Sequence, residues 1–199
     1  MELILVRHGH PDVPLQSHSG NPPLSVRGNQ QARHVATALE IEPIERIVSS
    51  GMRRADATAQ PLADALGLVI ETHADLGEID RWGGEYANVE TIRQKGPEEL
   101  QRFRDAPIAY FGIDADRFRR ETLAAFRSIL DDGDSAKTVI FTHGFPINIL
   151  ISHTLGIGHH HDTQFVPSYG SISRISGQNF DELTMTSWNE NSHIPEALK

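Results

Sequence analysis

The chain has 199 residues, 38% hydrophobic and 23% charged, a composition suited to one soluble α/β domain. Its 18 basic and 27 acidic side chains leave a formal charge of −9, which disfavours nucleic acid and anionic membranes as partners, so an anionic small molecule would need a local cluster of cations. The absence of cysteine excludes disulfides and thiol catalysis. No apolar run reaches the roughly 18 residues of a membrane span, and Glu2 with four apolar residues before Arg7 is not a signal-peptide pattern, so the expected location is cytoplasmic.

Leu3 to Val6 is an apolar run too short for a free-standing helix, and it reads as a strand buried on both faces. It ends in Arg7-His8-Gly9, at the place where open α/β sheets collect ligands. His10 to Pro23 is a loop rich in Pro, Ser, His and Asn. Ser25 is then a helix N-cap, and Val26, Ala32, Val35, Ala36 and Leu39 follow at helical spacing. A short strand is expected over 45–50. Ser49-Ser50-Gly51-Met52 forms a turn, and a helix follows from Arg53, its stripe running through Ala55, Ala59, Leu62, Ala63 and Leu66. Pro61 should kink or restart that helix, and Gly67 should close it. A third strand is expected over 68–71. The β-α-β-α-β alternation implies a parallel sheet with right-handed crossovers.

From Leu76 to about Asp116 the alternation breaks down. Glycines, prolines and arginines punctuate a partly helical insertion, which is expected to form a cap at about 80–116. Phe118, Leu123, Phe126, Ile129 and Leu130 mark a long amphipathic helix, and Thr138 to Thr142 is another buried strand. It runs into His143-Gly144, ahead of a helix expected over 147–155. Two last strands are expected over 171–176 and 182–188, and a loosely held tail from Asn189. His159-His160-His161 with Asp162 has ligand chemistry, but consecutive residues rarely face one ion, so this reads as an exposed loop.

Two strands therefore end in histidine and glycine, and Arg54 follows a third. Together with Pro23-Leu24-Ser25-x-x-Gly28-x-x-Gln31-Ala32, Ser49-Ser50-Gly51-Met52-x-Arg54-Ala55-x-x-Thr58-Ala59, Leu76-Gly77-Glu78-Ile79 and Thr142-His143-Gly144, the Arg7-His8-Gly9 signature resembles the histidine phosphatase superfamily, or phosphoglycerate-mutase-like family. The resemblance covers most of the chain. It implies a three-layer α/β sandwich of phosphoglycerate-mutase-like type, a mostly parallel central sheet with helices on both faces, with residues 1–199 as one domain.

The implied activity is phosphomonoester hydrolysis through a phosphohistidine on His8, with Glu78 as proton donor and Asp80 or Glu85 as alternatives. Arg7, Arg54, His143 and Gly144 would bind phosphate, and His143 would complete the catalytic set. His8 must then be neutral at its attacking nitrogen, with the other ring N–H held by a hydrogen bond. His10, Ser25 and Ser171 are candidate substrate contacts. His10-Pro11 stands where the family often has Glu-Thr or Glu-Ser, and Gly51 where proline is usual. Phosphohistidine chemistry calls for no metal. The expected partner is a small phosphorylated metabolite or a phosphoprotein. The alternatives are a cofactor-dependent phosphoglycerate mutase, disfavoured by the lack of tryptophan in Pro11 to Pro23, and a non-catalytic phospho-ligand-binding module.

Overall fold

The computed structural model describes residues 1–13, 20–82, 86, 89–132, 137–158 and 165–199. Its strands are β1 (Glu2–Arg7), β2 (Arg46–Ser49), β3 (Ile70–Thr72), β4 (Lys137–Thr142), β5 (Ile172–Gly177) and β6 (Leu183–Glu190). The helices are α1 (Val26–Leu39), α2 (Arg53–Leu66), α3 (Val89–Gln94), α4 (Pro97–Asp105), α5 (Ala115–Asp131) and α6 (Gly144–Thr154). No helix among the described residues is long and apolar enough to cross a membrane.

The six strands form one sheet in the order β3-β2-β4-β1-β5-β6. β1, β2 and β3 pair in parallel around β4, β5 runs antiparallel to β1, and β6 turns back against β5. Only β5 therefore runs against the rest. β1 shows why an unbroken apolar strand is needed at the centre. Ile4 and Val6 join Val35, Leu39, Ala59 and Leu62 of α1 and α2 on one face, while Leu3 and Leu5 join Phe126, Ile129, Leu150 and Ile151 of α5 and α6 on the other. Period-two alternation with both faces apolar is the pattern of a sheet covered by helices on two sides.

The strand order places the site. β4 lies between β1 and β2, with Arg7 opposite Thr142 and Phe141 opposite Ser49. Three carboxyl ends thus lie side by side, carrying His8, His143 and Ser50. The loop after β1 is pinned by Asp12 N–H to the Pro23 carbonyl (2.8 Å) and Ser25 N–H to the His10 carbonyl (2.9 Å). Ser25 caps α1 through the Gly28 N–H at 3.1 Å.

The strand and helix ends shift by a few residues from expectation: β3 starts at Ile70, and α6 starts at Gly144 with Pro146 in its first turn, where a missing N–H is harmless. Two other expectations are corrected. Pro61 does not restart α2; the helix runs through it, because packing of Ala59, Leu62 and Ala63 against the sheet offsets the roughly 3 kcal/mol cost of an interior proline. The tail beyond Asn189 is tied down. Ile194 is buried in the first core, and Arg27 Nε and Gln31 Nε2 donate to the Leu198 carbonyl at 2.9 and 2.6 Å.

Gly28 gives a test of these close approaches. A Cβ there would lie 2.1 Å from the His10 carbonyl oxygen. Helix propensity alone predicts that Gly28→Ala gains about 1 kcal/mol, whereas overpacking predicts a loss of about 1–3 kcal/mol. Urea unfolding should show the loss; a gain would mean that the loop is not seated on α1.

Candidate active site

The adjacent strand ends bring His8, His143 and Arg54 into one buried cluster, 2%, 0% and 0% exposed. The His8 and His143 rings lie 4.9 Å apart. Arg54 comes from the first turn of α2, one short turn after β2. Its side chain meets both His8 and Asp80: Nε–H points at His8 Nε2 (3.3 Å), and Nη2 bonds the two Asp80 oxygens at 2.9 and 3.1 Å. Thr58, one helical turn on, donates to the Arg54 carbonyl and accepts from Gly9 N–H, tying α2 to the His8 loop.

These contacts assign the protons on His8. Nδ1 lies 2.7 Å from the Gly9 carbonyl, which can only accept, so Nδ1 carries the hydrogen and Nε2 keeps its lone pair. Burial, then the charges of Arg54 and Arg7, hold the imidazole well below the ordinary histidine range, so it stays neutral. His143 is held neutral in the same way, first by burial and then by Arg54. The Ser50 hydroxyl lies 2.8 Å from His143 Nε2 and already accepts from Met52 N–H. The hydroxyl has one hydrogen and a second lone pair, so this contact holds the His143 ring in place in either tautomer.

Three buried nitrogens of this cluster have no hydrogen-bond partner among the described residues: Arg7 Nε, Arg54 Nη1 and His143 Nδ1. All belong to residues that adjoin His8. Unsatisfied buried donors are costly, so such a set marks a place for an anionic ligand. Arg7 also donates through Nη1 to the Pro167 carbonyl. Tyr169 lies under the Arg7 guanidinium at 4.1 Å, Tyr86 lies 5.0 Å from that of Arg54, and their hydroxyls are 3.3 Å apart.

Glu78 follows a short 3-10 turn that anchors to β4 through Thr142 Oγ1 and the Leu76 carbonyl. Its carboxylate accepts from Ile79 N–H (3.1 Å) and Phe145 N–H (3.2 Å). Burial, reinforced by Asp80, pushes its pKa up to about 7, against the opposing pull of Arg54. Asp80 is engaged with Arg54, and burial raises its pKa too. The two carboxyls thus have different surroundings: Asp80 is tied to a cation and Glu78 lines a pocket beside Arg7, His8 and Gly144.

A family model for the histidine phosphatase superfamily (branch 1) matches residues 3–191. The chain belongs to that superfamily. It is 29% identical over 191 residues to a probable phosphoglycerate mutase, GpmB, of Yersinia enterocolitica, an alignment covering 89% of this chain and 86% of that one. It is 35% identical over 112 residues to phosphoserine phosphatase 1 of Hydrogenobacter thermophilus, covering 54% and 52%. The solved structure of Bacillus stearothermophilus YhfR has the same fold, with a TM-score of 0.81 at 24% identity over 98% of this chain and 99% of that one. Phosphomonoester hydrolysis is the activity that membership of this superfamily and its phosphatase relatives support.

The structure brings together Arg7, His8, Arg54, Glu78, His143 and Gly144. His10, Ser25 and Ser171 lie apart from the pocket wall. His10 Nδ1 meets Ser25 Oγ at 3.0 Å and its ring stands edge-on to Tyr169, so both side chains are engaged in shaping the loop. Ser171 is buried at the start of β5 with an unpartnered hydroxyl. Glu85 and the His159 to Asp162 run lie outside the described residues. Among the described residues no three His, Asp or Glu side chains are placed to hold a metal. Sequence reasoning missed Ser50, Tyr86 and Tyr169 as site residues. Thr58 carried a signal, since it lies four residues after Arg54 and so on the same helix face.

The carboxyl pair makes a direct prediction. Infrared titration should show one carboxyl ionising near pH 7 that is absent in Glu78→Gln. Asp80→Asn removes a negative neighbour and frees Arg54 to act on Glu78. Both changes favour the carboxylate, so the Glu78 titration should move to lower pH. An unchanged titration would refute the coupling.

Proposed function

We propose that the chain hydrolyses small phosphorylated metabolites in two steps through phosphorylated His8. The observation that carries this is the proton arrangement on His8, which leaves its lone pair on buried Nε2, in one cluster with nitrogens of Arg7, Arg54 and His143 that have no partner among the described residues. A phosphomonoester is a dianion, and its transfer calls for positioning and fixed positive charge rather than strong acid or base chemistry. In the first step Nε2 attacks phosphorus, the bond to the ester oxygen breaks, and the Glu78 carboxyl gives its proton to the departing alkoxide. In the second, the Glu78 carboxylate takes a proton from water, whose oxygen attacks phosphorus as the phosphorus–nitrogen bond breaks. Glu78 is then protonated again and inorganic phosphate leaves.

Arg7, Arg54 and His143 hold the non-bridging oxygens through both steps. The forked guanidiniums suit this task. The long 3.3 Å contact from Arg54 to His8 Nε2 keeps the ring oriented and yields when phosphorus arrives. Asp80 acts through Arg54 as a positioning residue. Residues 1–199 work as one domain, with the 80–116 segment as a cap over the site.

Steady-state hydrolysis of p-nitrophenyl phosphate tests the assignment. His8→Ala should lower kcat by more than about 10³-fold, and His143→Gln by about 10²–10³-fold, the usual effect of removing one transition-state donor. Activity should survive a chelator. The rate on alkyl esters should fall as pH rises through about 7, because Glu78 must begin protonated. In kcat/KM, which reports the first step, Glu78→Gln should cost far more on an alkyl ester than on p-nitrophenyl phosphate, whose leaving group needs little proton donation. Full activity in His8→Ala would exclude the phosphohistidine route.

A further inference from the structure

The pocket that opens from His8 has a volume of about 280 Å³. Among the described residues most of its wall beyond Arg7, His8 and Glu78 is apolar, with Ile79, Ile92, Leu100, Phe103, Phe111 and Phe165 in it. Three of these belong to the α3–α4 cap segment. Its polar members are largely committed elsewhere. The Asn148 amide donates to the Gly144 carbonyl (2.7 Å) and accepts from Phe165 N–H (3.0 Å). The Tyr86 hydroxyl is paired with that of Tyr169. Among the described residues, the cation on the wall away from the phosphate end is Arg104, which is exposed to solvent, where its attraction for an anion is screened and weak.

We infer that the ester cleaved here carries an apolar alcohol, alkyl or aryl, rather than a polyol or a hydroxy acid. This deepens the catalytic assignment above and rests on it for where the phosphate sits. Hydroxyls or a carboxylate on the leaving group would be stripped of water against these side chains without replacement partners, a cost that selects against them. An apolar body loses nothing there and gains the contact area. The volume is close to the lower end of the roughly 300–1,000 Å³ of small-molecule pockets, enough for a ring or a short chain beyond the phosphate. The relatives' names point the other way, to phosphoglycerate and phosphoserine, so the cap segment would have changed the substrate on a shared catalytic floor.

The test compares two primary alkyl esters of similar leaving-group basicity, 2-phenylethyl phosphate and glycerol 3-phosphate. The native chain should favour the phenylethyl ester at least tenfold in kcat/KM, and Leu100→Asn should lower that ratio about tenfold. Calorimetry with His8→Ala, which keeps the cations but cannot turn over, should show at least tenfold tighter binding of the phenylethyl ester. Cleavage of both esters with equal kcat/KM would overturn the inference and leave the phosphohistidine route standing. Cleavage of neither, with selective binding retained by His8→Ala, would overturn the route and uphold the apolar pocket. Equal binding of the two esters by His8→Ala would overturn the inference by itself.

Discussion

A guanidinium with no exposure to water must be paired, and Arg54 is paired on two sides. Asp80 grips Nη2 and His8 receives Nε–H, so one buried cation ties a carboxyl and an imidazole into a single arrangement. A buried ion pair is a weak source of net stability, since desolvation consumes most of its Coulomb gain, but breaking it by removing one partner costs about 3–5 kcal/mol. The value of the pair here is therefore geometric. It holds the Arg54 fork edge-on to His8, and it leaves Nη1 without a partner beside two other orphaned nitrogens.

The same cation sorts the titratable groups. His8 and His143 lose their charge because burial and Arg54 act in the same direction on an imidazole. On carboxyls the two effects oppose each other. Asp80, in contact with Arg54, is stabilised as the anion more than Glu78, which has only backbone donors and feels the Asp80 charge as well. Two nearby carboxyls with pushed-apart environments are a familiar way to obtain a group poised near neutrality. The product is two neutral imidazoles and a carboxyl that titrates near pH 7, all set by three strand ends and one helix turn.

Much of this was legible in the sequence because it follows from local rules. Leu3 to Val6 and Thr138 to Thr142 announce doubly buried strands, and each places a histidine and a glycine at its end. That β4 would insert between β1 and β2, and so bring His8 against His143, is a matter of strand order, which periodicity does not encode. The tail shows the same limit: Ile194 and the Leu198 carbonyl are held by α1, a contact across most of the chain that tail composition does not reveal. Pro61 does not restart its helix because a local penalty is outweighed by packing. Ser50, Tyr86 and Tyr169 were missed since a serine in a turn and lone tyrosines in loops carry no period. The apolar wall was hidden for a related reason: nothing in the spacing of Ile92, Leu100 and Phe103 places them in the pocket that His8 lines.

The central claim is a covalent bond between His8 Nε2 and phosphorus. It is tested most directly by rapid-quench labelling with a radiolabelled aryl phosphate, followed by peptide mapping. The account predicts a burst of protein-bound label, stable in base and lost in acid as a phosphoramidate should be, on the peptide that contains His8 and absent from His8→Ala. Turnover without any labelled intermediate, or label on a serine or carboxylate elsewhere, would contradict it.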